Sequence, residues 1–513
     1  MASRVEKNLV LGIVGAGVMG RGIAQIAAES GCTVLLADAR SESVQEALGF
    51  CTQMIQRKAA KGSISKEAAE AALARLIATD AGPANGYAAF ASCDVVIEAV
   101  AERMDIKHAV RDGLEAAVAP QCIIATNTSS LSVTGFAVGA RYPGRIAGLH
   151  FFNPVPLMKV AEIIGGALTE TAVLDSLAAL VMRTGHRAVR CTDTPGFLVN
   201  HAGRAFSTEA LRIVQEGIAD FATVDRIMVE AAGFRMGPFE LMDLTGLDVS
   251  HTVMEQIYRQ YYEEPRFRPS PITAQRLTAG LLGRKSGRGF YDYSGGQQQK
   301  PVELPLPHGA TLPPVWVSDA RPDVATALRA MLVSSNAVIE TASKPSTEAL
   351  ILVTPLGADT TTTALAEGLD PARTIAVDSL FGFDRRRSLM RNPLTRPEYA
   401  DAACVFFSHD GHSVSIIHDS PGFIAQRIVA MIVNVGCEIA QQRVARSIDI
   451  DAAVELGLGY PKGPLALGDA LGPARILTIL EAMSAFYGDP RYRPSPWLKR
   501  RALLGVSLHT QDA

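Results

Sequence analysis

The sequence predicts an α/β domain and an all-α domain, followed by a smaller α/β unit and a second all-α domain. Three observations predict it. Up to about residue 190, short β-branched runs alternate with longer Ala/Glu/Lys/Arg-rich stretches, the pattern of crossover helices on a mostly parallel sheet. From Pro195 to about Tyr293 the strand signal fades and amphipathic stretches dominate. Finally, the helical part returns. Its first copy reads Asp193-Thr-Pro-Gly-Phe-Leu-Val-Asn200, then Gly233-Phe-Arg-Met-Gly-Pro-Phe-Glu240-Leu-Met-Asp243-Leu-Thr-Gly246. The second reads Asp419-Ser-Pro-Gly-Phe-Ile-Ala-Gln426, then Gly459-Tyr-Pro-Lys-Gly-Pro-Leu-Ala466-Leu-Gly-Asp469-Ala-Leu-Gly472, and Pro265-Arg-Phe-Arg-Pro-Ser-Pro271 is answered by Pro490-Arg-Tyr-Arg-Pro-Ser-Pro496. Turn glycines, prolines and capping aspartates persist, while Asn200 becomes Gln426 and Glu240 becomes Ala466.

In chain order, residues 9–14, 33–37, 95–99, 122–126, 145–150 and 188–191 are strand candidates, separated by helical stretches such as 43–60, 66–77 and 102–118. Together they delimit a first domain at 1–193, with the first helical domain at 194–295. A Gly/Gln/Pro-rich segment beginning at Ser294 marks a linker at 296–314. Residues 349–355, 374–377 and 403–408 then look like strands, with a helix at 361–367, in a reduced α/β unit at 315–417. The second helical copy occupies 418–513. A chain of 513 residues is too long for one core, and about three or four domains is the ordinary expectation.

With 48% hydrophobic and 20% charged residues and a formal charge of −3, the composition is that of a globular enzyme, with no reason to expect nucleic acid or an anionic membrane as partner. The seven cysteines (Cys32, Cys51, Cys93, Cys122, Cys191, Cys404 and Cys437) form no Cys-x-x-Cys pair, which favours free thiols in a reducing compartment over disulfides or a metal site. The apolar run 9–19 is broken by Gly12, Gly15 and Gly17 and ends at Arg21, so it does not read as a signal peptide. No run approaches the ~20 apolar residues that span a bilayer. A cytoplasmic protein is expected.

Gly15-Ala-Gly17-Val18-Met19-Gly20 follows a strand and opens a helical run. Gly15 suits the tight turn, Gly17 lets the backbone approach a pyrophosphate, and Gly20 lets helix and strand pack closely. The helix N-terminus offers unpaired N–H groups to phosphates. Asp38 ends the next strand, where a carboxylate binds adenosine ribose hydroxyls and repels a 2′-phosphate. The first domain is therefore expected to be of the Rossmann type and to bind NAD in preference to NADP. Arg40 nearby is the one feature against that preference.

Farther along come Asn127-Thr-Ser129-Ser130-Leu131 and His150-Phe-Phe-Asn153-Pro154-Val-Pro156-Leu-Met-Lys159-Val-Ala-Glu162. They place a hydroxyl, an imidazole and a carboxylate beyond the carboxyl ends of sheet strands, where doubly wound folds bind ligands. Hydride transfer from an alcohol needs a base for the hydroxyl proton, and a carboxylate on the far nitrogen of a histidine fixes its tautomer. Taken alone, a single histidine is more often a satisfied structural residue than a catalytic one.

The combination closely resembles the (S)-3-hydroxyacyl-CoA dehydrogenase family over residues 8–295, through the glycine motif, Asn-Thr-Ser-Ser-Leu, His-Phe-Phe-Asn-Pro, Asp-Thr-Pro-Gly-Phe-x-x-Asn, Gly-Pro-Phe-Glu-Leu and Gly287-Arg-Gly289-Phe-Tyr291. The resemblance implies His150 as catalytic base with Glu162 holding and polarising it, and Ser129 and Asn200 as donors to the substrate 3-oxygen. It also implies that Glu102, Lys107, Asn127 and Asn153 line the nicotinamide side of the cofactor site. Arg57, Lys58 and Lys61 sit where the family's CoA-contacting helices lie, although a solvated basic face explains them equally well. Glu240 reads as a structural residue of the helical domain.

The full domain order resembles the long bacterial members of the family in phenylacetate breakdown, which act on 3-hydroxyadipyl-CoA. Shorter relatives dimerise through the helical domain, which implies that copy two packs on copy one as an intrachain pseudo-dimer, with a further homo-oligomer left open. The reduced unit carries Val353-Thr-Pro-Leu-Gly-Ala358 where phosphate-binding glycines would stand, so no second cofactor is expected. No hydratase domain precedes residue 1, so a multifunctional β-oxidation chain is not expected. Alternatives are a 3-hydroxybutyryl-CoA dehydrogenase of short-chain fatty acid metabolism, a gulonate dehydrogenase, or a catalytically silent NAD-binding structural protein.

Overall fold

The computed structural model describes residues 9–303, 305, 307 and 310–512; positions 304, 306, 308 and 309 of the expected linker lie outside the described residues. The elements gather into two compact units. One ends at His201 and takes in Gln442–Leu458, and the other holds Ala202–Gln441 and the chain from Gly459 on.

The first unit is built on a sheet of β1 (Val10–Val14), β2 (Thr33–Ala37), β3 (Leu76–Ala78), β4 (Val95–Glu98), β5 (Ile123–Thr126), β6 (Ile146–Phe151), β7 (Val160–Gly165) and β8 (Arg187–Thr192). Their order is β3-β2-β1-β4-β5-β6-β7-β8. Neighbours run parallel except β6 with β7, which are antiparallel. Strands β4, β5 and β6 are buried at every position, as a sheet covered on both faces requires. One face packs Ile13, Val34 and Leu36 against Ile23 and Ala24 of the helix Val18–Glu29. The other packs Val14, Val96 and Ile124 against Val110 and Leu114 of the helix Met104–Ala117. Winding reverses between β1 and β4, so their carboxyl ends open the ligand crevice.

In the first unit two strands escaped the sequence reading. The helix read over 66–77 stops at Ala74, and β3 begins at Leu76. Strand β7 carries Glu162 in mid-strand, opposite His150 on β6. Neither His150 nor Glu162 therefore lies beyond a strand end, as the sequence suggested. A charged residue inside an apolar strand hides the strand unless its partner is known.

In the second unit, β9 (Val315–Val317), β10 (Ile339–Glu340), β11 (Leu350–Val353), β12 (Thr374–Val377), β13 (Arg387–Arg391) and β14 (Val414–His418) form a sheet in the order β10-β9-β11-β12-β13-β14. Residues 403–408, read as a strand, belong to the helix Pro397–Ser408, and β9, β10, β13 and β14 were not read from the sequence. That helix buries Ala402, Ala403, Phe406 and Phe407 in the core. A helix so widely buried shows no 3.6-residue polar face, so a short window of it imitates a strand.

Strands β12, β13 and β14 repeat the antiparallel-then-parallel pairing of β6, β7 and β8. The capping aspartates repeat as well. Asp193 accepts from the Val133 and Thr134 amides, and Asp419 accepts from those of Thr360 and Thr361. The two helical copies also exchange a segment. Val444 of copy two accepts a hydrogen bond from the Thr192 amide of the first sheet (3.0 Å). Ile218 of copy one accepts from the His418 amide of the second sheet (3.1 Å).

Within the second unit the helix Ala425–Gln441 of copy two packs on Arg204–Gln215 of copy one. Between them Arg427 and Glu209 are both fully buried, with Nε and Nη2 of Arg427 at 2.9 and 2.7 Å from Glu209 Oε1. No described helix is long and apolar enough to cross a membrane, and all seven cysteines are free and buried.

Candidate active site

The glycine turn after β1 behaves as its residues require. Gly15 adopts φ +108, and a Cβ there would meet the Ala99 carbonyl at 2.4 Å. A Cβ on Gly20 would lie 1.7 Å from the Gly15 carbonyl oxygen, so the helix Val18–Glu29 can start this close to the turn only with glycine. Beside Gly17, by contrast, nothing lies within 4 Å of a built Cβ. That open space at a helix N-terminus fits a pyrophosphate. Val18 is half exposed over it, and Met19 is partly buried against the core. Asp38 ties the turn together by accepting from the Ala16 amide (2.8 Å) and the Arg40 amide (3.1 Å). It also lines a cavity of about 610 Å³ with Ala39, Val44, Thr79 and Ala81, large enough for an adenosine moiety. The Arg40 side chain is engaged with Ser43 Oγ at 2.8 Å. These residues fit NAD.

Beyond the ends of β4 and β5 lies a compact charged network. Glu98, fully buried, accepts from Lys107 Nζ at 2.9 Å through each carboxylate oxygen and from Thr126 Oγ1 at 2.7 Å. Lys107 is itself buried, and its second carboxylate is Glu102 at 3.3 Å. Glu102 Oε1 gathers the amides of Ser129 (2.8 Å) and Ser130 (3.1 Å) and the hydroxyls of Thr128 (2.7 Å) and Ser129 (3.2 Å). Burial alone would raise the Glu102 pKa; the Lys107 charge and these donors outweigh it and hold the carboxyl below its usual range. Asn127 Oδ1 accepts from the Phe151 amide at 2.9 Å, joining β5 to β6. Asn153 is exposed and precedes a cis proline, Pro154. Glu98 was not singled out in the sequence, where it only ends an apolar strand. A charge closing such a run, nine residues before a lysine, was the available signal.

The imidazole and carboxylate meet through sheet register. His150 Nδ1 lies 2.6 Å from Glu162 Oε2, both groups buried. The other oxygen, Oε1, accepts from the amides of Leu198 (3.0 Å) and Val199 (2.7 Å), at the start of the short helix Val199–Ala202 that carries Asn200. One carboxylate thus orients the imidazole and anchors the asparagine's helix. Phe152 and Phe197 pack on the ring, at centroid distances of 4.4 and 6.0 Å. His150 Nε2 has no hydrogen-bond partner among the described residues. Asn200 Nδ2 donates to the Ser129 carbonyl at 3.3 Å, which brings the two candidate oxygen-binding residues side by side.

The predicted CoA contacts are less convergent. Arg57 and Lys61 are exposed near the end of the helix Ser41–Ala60, and Lys58 is paired with Glu29 at 2.6 Å. Glu240 meets Arg284 at 3.3 Å inside the helical domain.

Comparison with known families gives two matches. The 3-hydroxyacyl-CoA dehydrogenase NAD-binding domain matches residues 10–194, and the C-terminal domain of the same enzymes matches twice, at 196–293 and 422–509. The chain belongs to the 3-hydroxyacyl-CoA dehydrogenase family. It is 35% identical over 494 residues to a 3-hydroxyadipyl-CoA dehydrogenase of Escherichia coli K12, covering 96% of this chain and 97% of that one. It is also 35% identical to a 3-hydroxybutyryl-CoA dehydrogenase of Bradyrhizobium diazoefficiens, over 59% of this chain and 99% of the relative. A crystal structure of 3-hydroxybutyryl-CoA dehydrogenase from E. coli K12 superposes with a TM-score of 0.84 at 34% identity, covering 97% of this chain and 99% of that one. Family membership makes the chain an NAD-binding oxidoreductase with tandem C-terminal domains.

Proposed function

We propose that the chain oxidises (S)-3-hydroxyacyl-CoA to 3-oxoacyl-CoA with NAD, and that 3-hydroxyadipyl-CoA is its preferred substrate. The observation that carries the reaction is the buried His150–Glu162 pair across β6 and β7, with Nε2 of the imidazole left free. Bound NAD supplies the hydride acceptor. His150 Nε2 takes the 3-hydroxyl proton, while Glu162 holds Nδ1–H and stabilises the imidazolium that forms. Ser129 Oγ and Asn200 Nδ2 donate to the 3-oxygen as it becomes a carbonyl, exchanging their present partners Glu102 and the Ser129 carbonyl for substrate. Gly15, Gly17, Val18, Met19, Gly20 and Asp38 hold the adenosine and pyrophosphate. Glu102, Lys107, Asn127 and Asn153 shape the nicotinamide side. Arg57, Lys58 and Lys61 meet the CoA phosphates, Lys58 by releasing Glu29. The two helical copies serve as an intrachain pseudo-dimer, and the chain works in the cytoplasm.

The adipyl assignment is supported by the relative of that name matching both copies from end to end. The butyryl reading is favoured by the name carried by the full-length crystal structure. Comparing kcat/KM on 3-hydroxyadipyl-CoA and 3-hydroxybutyryl-CoA separates them, and a tenfold preference for the butyryl substrate overturns the adipyl assignment. His150→Gln should lower turnover at least ~100-fold with NADH affinity nearly unchanged. Turnover at the parent level removes His150 as the base.

A further inference from the structure

The second α/β unit keeps the place of an active site while changing what fills it. Register equates Asp378, whose amide donates to the Ser388 carbonyl at 2.9 Å, with His150, and Ser388 with Glu162. Gln426, in the position of Asn200, donates to Asp378 Oδ1 at 2.9 Å and accepts from the Gly357 amide at 2.8 Å. The base and its orienting carboxylate are gone, and Gln426 is spent on the scaffold.

The glycine turn is changed with them. The helix after β9, Pro322–Ser334, starts with a proline and therefore lacks one of its N-terminal donors. The turn after β11 is covered by the helix Pro473–Tyr487, since a Cβ on Gly357 would lie 2.7 Å from Ile479 Cα. What remains is a cavity of about 610 Å³ near the carboxyl ends of β9 and β12. Winding reverses between β9 and β11, so this is again where a doubly wound sheet binds ligands.

One guanidinium, Arg475, lines this cavity, and a second, Arg321, donates to its lining residue Ser379. Arg321, just before the helix Pro322–Ser334, uses only Nη1, which donates to the Thr354 carbonyl (3.0 Å) and to Ser379 Oγ (2.9 Å). Arg475 lines the cavity with Ser379, and its buried Nε has no partner among the described residues. Among the described residues neither guanidinium has a carboxylate within 4.0 Å. Ser379 links the two, accepting from Arg321 and lining the cavity with Arg475. Burial, and then the Arg475 charge, lower the Arg321 pKa against the opposing charges of Asp323 and Asp378. Of the carboxylates lining the same cavity, Asp410 is occupied by a two-pronged pair with Arg387 at 2.9 and 2.6 Å. Asp323 and Asp384 are exposed at its rim, where water screens them. Both guanidiniums feel the buried carboxylate of Asp378, whose Oδ1 is taken by the Leu380 amide and Gln426 Nε2. Two part-buried cations thus share one buried carboxylate, and the excess charge is relieved by an anion that accepts from their free N–H edges.

We propose that this crevice is a second, non-catalytic site that binds a small molecule through an oxyanion group, a phosphate or a carboxylate, held by Arg321, Arg475 and Ser379. The test uses the full-length chain saturated with NADH, so that the first crevice is filled, titrated calorimetrically with inorganic pyrophosphate and separately with glutarate. Arg475 makes no hydrogen bond, so Arg475→Gln removes a ligand contact without removing a structural one. At least one probe should bind, and Arg475→Gln should weaken it about tenfold or more, while turnover of acetoacetyl-CoA with NADH stays at the parent level. Binding of pyrophosphate alone assigns a phosphate ligand; binding of glutarate alone assigns a carboxylate. Absence of binding by both, or affinities unaltered in Arg475→Gln, overturns the proposal.

Discussion

Replacing Glu162 by glutamine tests the candidate site at the atom where most of its geometry converges. The carboxylate accepts three hydrogen bonds, one from His150 Nδ1–H at 2.6 Å and two from the Leu198 and Val199 amides at 3.0 and 2.7 Å. An amide has one acceptor oxygen and an NH2 group. If its oxygen keeps the two backbone donors, the NH2 faces Nδ1 and forces the proton onto Nε2, so the base arrives already protonated. If its oxygen faces Nδ1, the NH2 confronts two backbone N–H groups, and the start of the helix carrying Asn200 loses its anchor. Either way at least one buried bond to a charged group is lost, worth about 1.5–3 kcal/mol. At about 1.4 kcal/mol per decade of rate, kcat should fall roughly 10- to 150-fold, a milder loss than removal of His150. The assay is NADH consumption with acetoacetyl-CoA, alongside an NADH fluorescence titration, which should be nearly unchanged because Glu162 lies outside the pyrophosphate turn. A variant with kcat within about twofold of the parent refutes the orienting role.

Glu98→Gln should weaken NADH binding about tenfold by loosening Lys107, as read by fluorescence titration; unaltered affinity separates that pair from the cofactor site. Arg427→Met leaves Glu209 buried without its main counter-charge and should cost about 3–5 kcal/mol in chemical denaturation, while Arg427→Met with Glu209→Leu should recover most of the loss; equal stability of the two variants contradicts this. Burial pushes the Asp225 carboxyl up to about 7, against the donors from Phe239, Tyr291 and Glu240. The folded chain therefore holds a proton that the unfolded chain releases near pH 4, so this group's contribution to stability is complete below about pH 4 and is lost as pH rises to about 7. Asp225→Asn should flatten that slope in thermal melts taken between those two values, and a persisting slope shows that another group produces it. Calorimetric titration should find one NADH per chain; two would mean that the second α/β unit also binds a dinucleotide.

The sequence by itself determined the features whose signal is local. The glycine turn, the β-branched runs around it and the repeated Pro-Gly-Phe segments each specify backbone within a few residues, so the Rossmann class and the tandem helical plan were legible before any contact was known. The family followed because several such motifs stand in a fixed order. Tertiary structure alone decided what depends on pairing between distant segments. The family resemblance implied that Glu162 holds His150, but only strand register shows how they meet, and the corresponding register puts Asp378 where a second imidazole would stand. Wide burial of its second half concealed Pro397–Ser408 as a helix, because periodicity is visible only where one face meets water. The exchange of Val444 and Ile218 between the helical copies likewise has no local mark, since it consists of backbone hydrogen bonds between distant segments, which any residue can make.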